Sequence, residues 1–269
     1  MMSATLSESR QKELWRHLEA VNDPELDEPI TEMGFVERAD LDEDGGVTVG
    51  FRLPTYWCSP NFAFLMLDDI RRALDSLSWS PAYRVSLHDH MFADEVNKGI
   101  AEGRSFADIF GSLADDTDLD AVRETFRMKA FKRRQEALIL DLRAAGLSDK
   151  RIVGMRLADL DVLPAGDDET AKRRRRYREA LLARQPDLLA HDSVIVDWDG
   201  RPVEADALTA YLIDLRSVRI NMEFNGALCR GLKQTRYKEM EMIDGEPTLV
   251  DFIVGRVPSP AARTPATDR

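Results

Sequence analysis

The chain has 269 residues, 43% of them apolar, enough to bury a core in one large domain or two small ones. No apolar run approaches the roughly 18 residues of a membrane span, and the opening MMSATLSESRQKELW lacks the apolar core of a signal peptide, so the chain reads as cytoplasmic. The net charge of −12 is unevenly held: residues 1–122 carry 10 basic and 25 acidic residues, net −15, and the remainder carries 27 and 24, net +3, which points to two units and argues against nucleic acid as a partner of the first.

Residues 7–20 have the spacing of an amphipathic helix, with Leu14, Leu18 and Val21 on one face. Asp23-Pro24 and Pro29 then break it, and Ile30 to Gly34 makes a short turn. Phe35 to Leu41 reads as a strand, and the DEDGG connection leads as a hairpin into Val47 to Leu53, where Val47, Val49, Phe51 and Leu53 alternate. A proline-rich turn, PTYWCSP, follows. From Asn61 to Leu74 the pattern is helical, with Ser59 as N-cap and Pro60 where a first helical residue tolerates having no N–H. Tyr83, Val85 and Leu87 alternate as a third strand that closes on His88-Asp89-His90. A second short helix and a capped turn come next. The order α-β-β-α-β-α predicts an α+β fold, a small sandwich over residues 1–110 with helices packed on a sheet.

The remainder is predicted to be mainly helical, over residues 118–257. Asp118 caps a long helix to about Ala145, stopped by Gly146, and Ser148 starts a short one. Residues 168–184 form a basic helix carrying KRRRRYR. Ser193 to Val203 reads as a hairpin around Asp199-Gly200, and Glu204 to about Tyr237 as a long helix. Leu249 to Val254 is strand-like, and the Pro/Ala/Thr tail 258–269 has a disordered composition.

Cys58 falls between a strand and a helix start, where unpaired N–H groups and the helix dipole favour a thiolate. Position alone fits a small buried cysteine equally well. Cys229, in an apolar helical setting, reads as structural, and with only these two cysteines the chain has neither a disulfide framework nor a CxxC pair. His88 and His90 follow the next strand; if the two strand ends adjoin, Cys58, His88 and His90 would converge as ligands for zinc or iron, with Asp89 or Glu95 completing or orienting them. The bland alternative is a pair of surface histidines at a strand end. Cys58 with His88 would also suit a nucleophilic enzyme. Asp23 and Glu25 read as a helix-ending turn with a solvated carboxylate rather than as acid and base. No Ser-His-Asp order, glycine-rich phosphate loop or HExxH occurs. The run Lys172 to Arg178 invites a nucleic-acid reading, against the low net charge of that half; a charge run on a helix is usually a solvated face or a patch for an acidic partner.

DPEL, the ITEMGFV turn, the strand ending in PTYWCSP, and H-x-H-x₄-E-VNK together resemble the metal–sulfur cluster assembly family, with PaaD-like and SufT-like bacterial members and a eukaryotic cytosolic iron–sulfur assembly subunit. The resemblance covers residues 10–105. It implies the fold just derived, a non-enzymatic maturation role, and an iron–sulfur cluster or iron/zinc as transient cargo. Cys58 matches the family's functional cysteine; Asp23, Pro24 and Glu25 match its acidic signature, and Glu95 and Asn97 the later one. A client metalloenzyme is the implied partner, a multicomponent oxygenase by analogy with extended family members. The C-terminal unit would then recognise that client or make a homo-oligomer. The approach to the cysteine, LPTYW, and the segment after VNK depart from the family pattern.

Overall fold

Alternation and amphipathic spacing place most elements where a core is available to them. The computed structural model describes residues 4–114, 118–164, 166–237, 242–243 and 246–247. Contacts divide the chain into one unit of residues 1–119 with 225–269, and a second of residues 120–224.

In the first unit, helix α1 (Ala4–Glu19) turns Leu14 and Leu18, one turn apart, fully inward. A two-residue ribbon follows, β1 (Asn22–Asp23) paired antiparallel with β2 (Glu28–Pro29), too short for any periodicity to announce. Strands β3 (Val36–Leu41) and β4 (Val47–Arg52) form the expected hairpin, with Gly45 at φ 82° in the tight turn. Val47, Val49 and Phe51 are buried. Helix α2 (Pro60–Asp75) then carries the chain back, so that β5 (Tyr83–His88) pairs with β4 in parallel, from Val47↔Tyr83 to Arg52↔His88. The sheet order is β3-β4-β5, and the parallel pairing puts the chain leaving β4, with Cys58, at the same sheet end as His88 to His90.

Helix α3 (Ala93–Ala101) and helix α4 (Phe106–Phe110) close the unit. They meet at Gly99, where a Cβ would run into the Ile109 side chain. A 3₁₀ turn, Gly111–Ala114, follows. Asn97 Oδ1 accepts Leu87 N–H at 2.7 Å and its amide donates to Leu87 C=O at 2.9 Å. This side chain thus supplies β5 with the ladder partner it would otherwise find on another strand. The fold class is the α+β arrangement expected.

The second unit is helical: α5 (Leu119–Ala144), α6 (Asp149–Val153), α7 (Leu157–Val162), α8 (Asp168–Arg184) and the first part of α9 (Leu208–Tyr237). Its core centres on Phe131, Ile139, Tyr177, Leu181, Ile195 and Leu215. Fully buried Gln135 donates to Tyr177 Oη at 2.7 Å and to Val196 C=O at 2.8 Å, and accepts from Tyr211 Oη at 2.5 Å. The segment read as a hairpin has isolated bridges, Arg156↔Ser193 and Val196↔Pro202, and no continuous strand. Helix α9 begins at Leu208 rather than Glu204, because Val203 N–H is still held by Ile195 C=O at 3.0 Å and a turn intervenes. Two-residue strands β6 (Met242–Ile243) and β7 (Glu246–Pro247) pair antiparallel. The strand expected over Leu249 to Val254 and the tail from Pro258 lie outside the described residues.

Candidate functional site

Cys58 lies, half-buried, in the loop between β4 and α2. Its Sγ is 3.0 Å from Thr55 Oγ1, and its backbone carbonyl accepts a bond from His90 Nε2 at 2.7 Å. Phe92 N–H donates to His90 Nδ1 at 3.2 Å. Both ring nitrogens are therefore engaged by backbone, which sets the tautomer with the proton on Nε2. His90 is only 4% exposed, and its pKa is lowered chiefly by that burial, with the Arg236 charge adding and the Cys58 bond opposing. It braces the loop that presents Cys58. The adjoining Tyr56 and Trp57 are exposed, Trp57 by 72%, and Met91 N–H donates to Tyr56 C=O at 2.9 Å.

His88 faces a different set of partners. Its Nδ1 is 2.7 Å from Glu37 Oε2, and Glu37 also pairs with Arg52 at 2.6 Å. Arg52 in turn reaches Asp89 at 3.2 Å and lies over the Tyr237 ring, 4.6 Å from its centroid. Among the described residues, no three His, Cys, Asp or Glu side chains are arranged to hold a metal ion. The structure thus brings Cys58 and His90 together through a main-chain carbonyl, while His88 is drawn to the Glu37–Arg52 pair. Glu95 is exposed in the first turn of α3, and Asn97 braces β5.

The Asp-Pro-Glu segment forms the tip of the β1–β2 ribbon. Asp23 Oδ1 accepts N–H bonds from Glu25 and Leu26, each 2.9 Å, while Pro24 sets the turn. The carboxylate read as solvated is instead buried, at 8% exposure. The ribbon folds it beneath itself, a placement that a local turn pattern does not convey. Burial raises the Asp23 pKa from 3.8 to about 6; Glu25 and Glu28 add to the rise, and the two N–H bonds oppose it.

The second part of α9, from Asn225, belongs to this same unit. Asn225 Nδ2 donates to Glu25 Oε1 at 3.2 Å, and Arg230 pairs with Glu28 at 2.7 Å. At the far end Tyr237 Oη donates to Leu53 C=O at 2.9 Å, where Arg236 also donates at 3.3 Å; Arg236 further reaches Asp89 C=O. Cys229 lies between these anchors and packs on the same core as Cys58. Burial pushes its thiol up to about 11, and Asp23, Cys58 and Glu25 are near enough to add to the shift, Arg230 opposing. Sequence reading treated the two cysteines as unrelated; no local signal links residues so far apart.

Residues 11–87 match the family model of an iron-sulfur cluster assembly protein. The N-terminal part of the chain carries an iron–sulfur cluster assembly domain. The matched span of this assembly domain contains Asp23, Pro24, Glu25 and Cys58 and ends at Leu87, just before the two histidines. No curated protein and no solved structure matches the chain.

The basic run of α8 is held within its own unit. Arg173 makes a bidentate pair with Asp141 at 2.8 and 3.0 Å, Arg178 pairs with Asp161 at 2.6 Å, and Arg174 donates to the carbonyls of Leu163 and Pro164, both at 2.8 Å. These bonds tie α8 to α5 and to the α7–α8 connection.

Proposed function

We propose that the protein is a maturation factor that carries an iron–sulfur cluster, or the iron for one, on Cys58 and passes it to a client metalloenzyme. The assembly domain supports an assembly-related role. The observation that carries the finer reading is the presentation of Cys58. A soft thiol donor sits half-buried in a loop braced by Thr55 and His90, beside exposed Tyr56 and Trp57 on which a client could close. His90 positions the loop, and the helical unit is assigned to client recognition, with an oxygenase-class metalloenzyme as the client by family analogy. The thiol's hydrogen-bond partner is Thr55 and not a histidine base, which favours the carrier reading over a cysteine nucleophile activated by His88.

The test is Cys58→Ala in the full chain. Protein reconstituted without oxygen is assayed for bound iron and sulfide, with circular dichroism as the check on folding. Loss of the cluster with the spectrum unchanged is expected. A folded Cys58→Ala variant that retains cluster at the wild-type stoichiometry would refute the reading.

A further inference from the structure

The last described helix returns to the assembly domain and brings with it the chain's other cysteine. We propose that Cys229 is the second thiol of the Cys58 site, and that the two together hold a thiophilic metal centre, the iron of an iron–sulfur cluster being the cargo meant here. The inference rests on the carrier reading of Cys58 and adds a donor to it.

Placement comes first. Asn225 is held by Glu25 at 3.2 Å, and Cys229 lies one helical turn further on, so both are on the face that meets the ribbon tip. Two turns beyond, Tyr237 is held at 2.9 Å by the carbonyl of Leu53, the residue that opens the Cys58 loop. Cys229 is thus confined between the Asp-Pro-Glu tip and the Cys58 loop. Both cysteines pack on one core, and Asp23, Cys58 and Glu25 are all close enough to act on Cys229 electrostatically.

The chemistry of that corner favours a cation. Asp23, deeply buried, and Glu25 add negative charge around Cys229, with Arg230 as the opposing charge. A soft cation binds the two sulfurs as thiolates, two S–H protons leave, and the negative charge is offset where it arises. No third side chain of ligating type joins them among the described residues. A two-donor site leaves coordination positions open for incoming thiolates of a client, which a carrier requires and a permanent four-donor site would deny.

An aryl arsenoxide tests the pairing on the unaltered full chain. It condenses with two neighbouring thiols, forming two As–S bonds and releasing one water, so it reports whether both sulfurs reach one atom. Wild-type protein should take one equivalent and thereby protect both cysteines from alkylation. Cys229→Ser and Cys58→Ser should each bind it about a hundredfold more weakly, as expected on losing a tethered second contact. Cadmium titration should show a thiolate charge-transfer band that falls by about half in either variant, in proportion to the thiolates bound. Wild-type protein whose two cysteines are alkylated independently after arsenoxide treatment would overturn the inference. So would a Cys229→Ser variant that binds arsenoxide and cadmium as wild type does, and in that case cluster loss in Cys58→Ala would still support the carrier reading. Cluster retention in Cys58→Ala would remove the carrier reading and this inference with it. The wild-type measurement depends on no variant folding.

Discussion

Replacing Asp23 with Asn should stabilise the assembly domain at neutral pH and leave it nearly unchanged in mild acid. The native carboxyl is 8% exposed, and its pKa is raised from 3.8 to about 6. The folded state therefore binds this proton more tightly than the unfolded state does. The stability linked to the group is fully present below about pH 4 and is lost as pH rises through 6. At about 1.36 kcal/mol for each factor of ten, the full rise corresponds to about 3 kcal/mol of destabilisation by pH 7.5. Asn keeps the shape and one carbonyl-type oxygen for the two N–H bonds from Glu25 and Leu26. Urea unfolding followed by tryptophan fluorescence at a series of pH values measures the difference; Trp15, Trp57 and Trp79 all belong to the assembly unit. The gap between variant and wild type should open between about pH 4 and pH 7, towards 3 kcal/mol. Parallel pH profiles, or a less stable variant at pH 7.5, would refute the reasoning.

Two further outcomes follow from buried groups. Gln135→Leu should destabilise the helical unit by roughly 1–3 kcal/mol in all, since it removes the amide's bonds to the Tyr177 and Tyr211 hydroxyls and the Val196 carbonyl, while Tyr177 keeps Val194 C=O and Tyr211 keeps Val196 C=O as acceptors; thermal unfolding with only a negligible shift would contradict that. At pH 8 the Cys229 thiol, pushed up to about 11, is almost wholly protonated, so iodoacetamide should label it far more slowly than a free thiol. Peptide mapping that finds Cys229 labelled at the free-thiol rate would show that it is neither buried nor surrounded by negative charge.

Local pattern was sufficient for what a single element decides alone. Alternation at Val47, Val49 and Phe51 marks β4, Pro60 marks the start of α2, and the basic helix 168–184 coincides with α8. In each case the period of the backbone is written into consecutive residues. The Asp-Pro-Glu and Cys58 motifs are short runs that lie within the span matching the assembly family model. Tertiary structure decided the rest. Whether Asp23 is solvated depends on a two-residue ribbon folding over it, and what His90 binds depends on the Cys58 loop turning its carbonyl, not its sulfur, towards the ring. Arg173 and Arg178 of α8 are paired with Asp141 and Asp161, on elements earlier in the chain. The placing of Cys229 on the same core as Cys58 depends on α9 returning to the first unit, held there by bonds to Glu25, Glu28 and Leu53. A sequence pattern records which face of an element is apolar; which other element covers that face is settled only by packing between residues far apart in the chain.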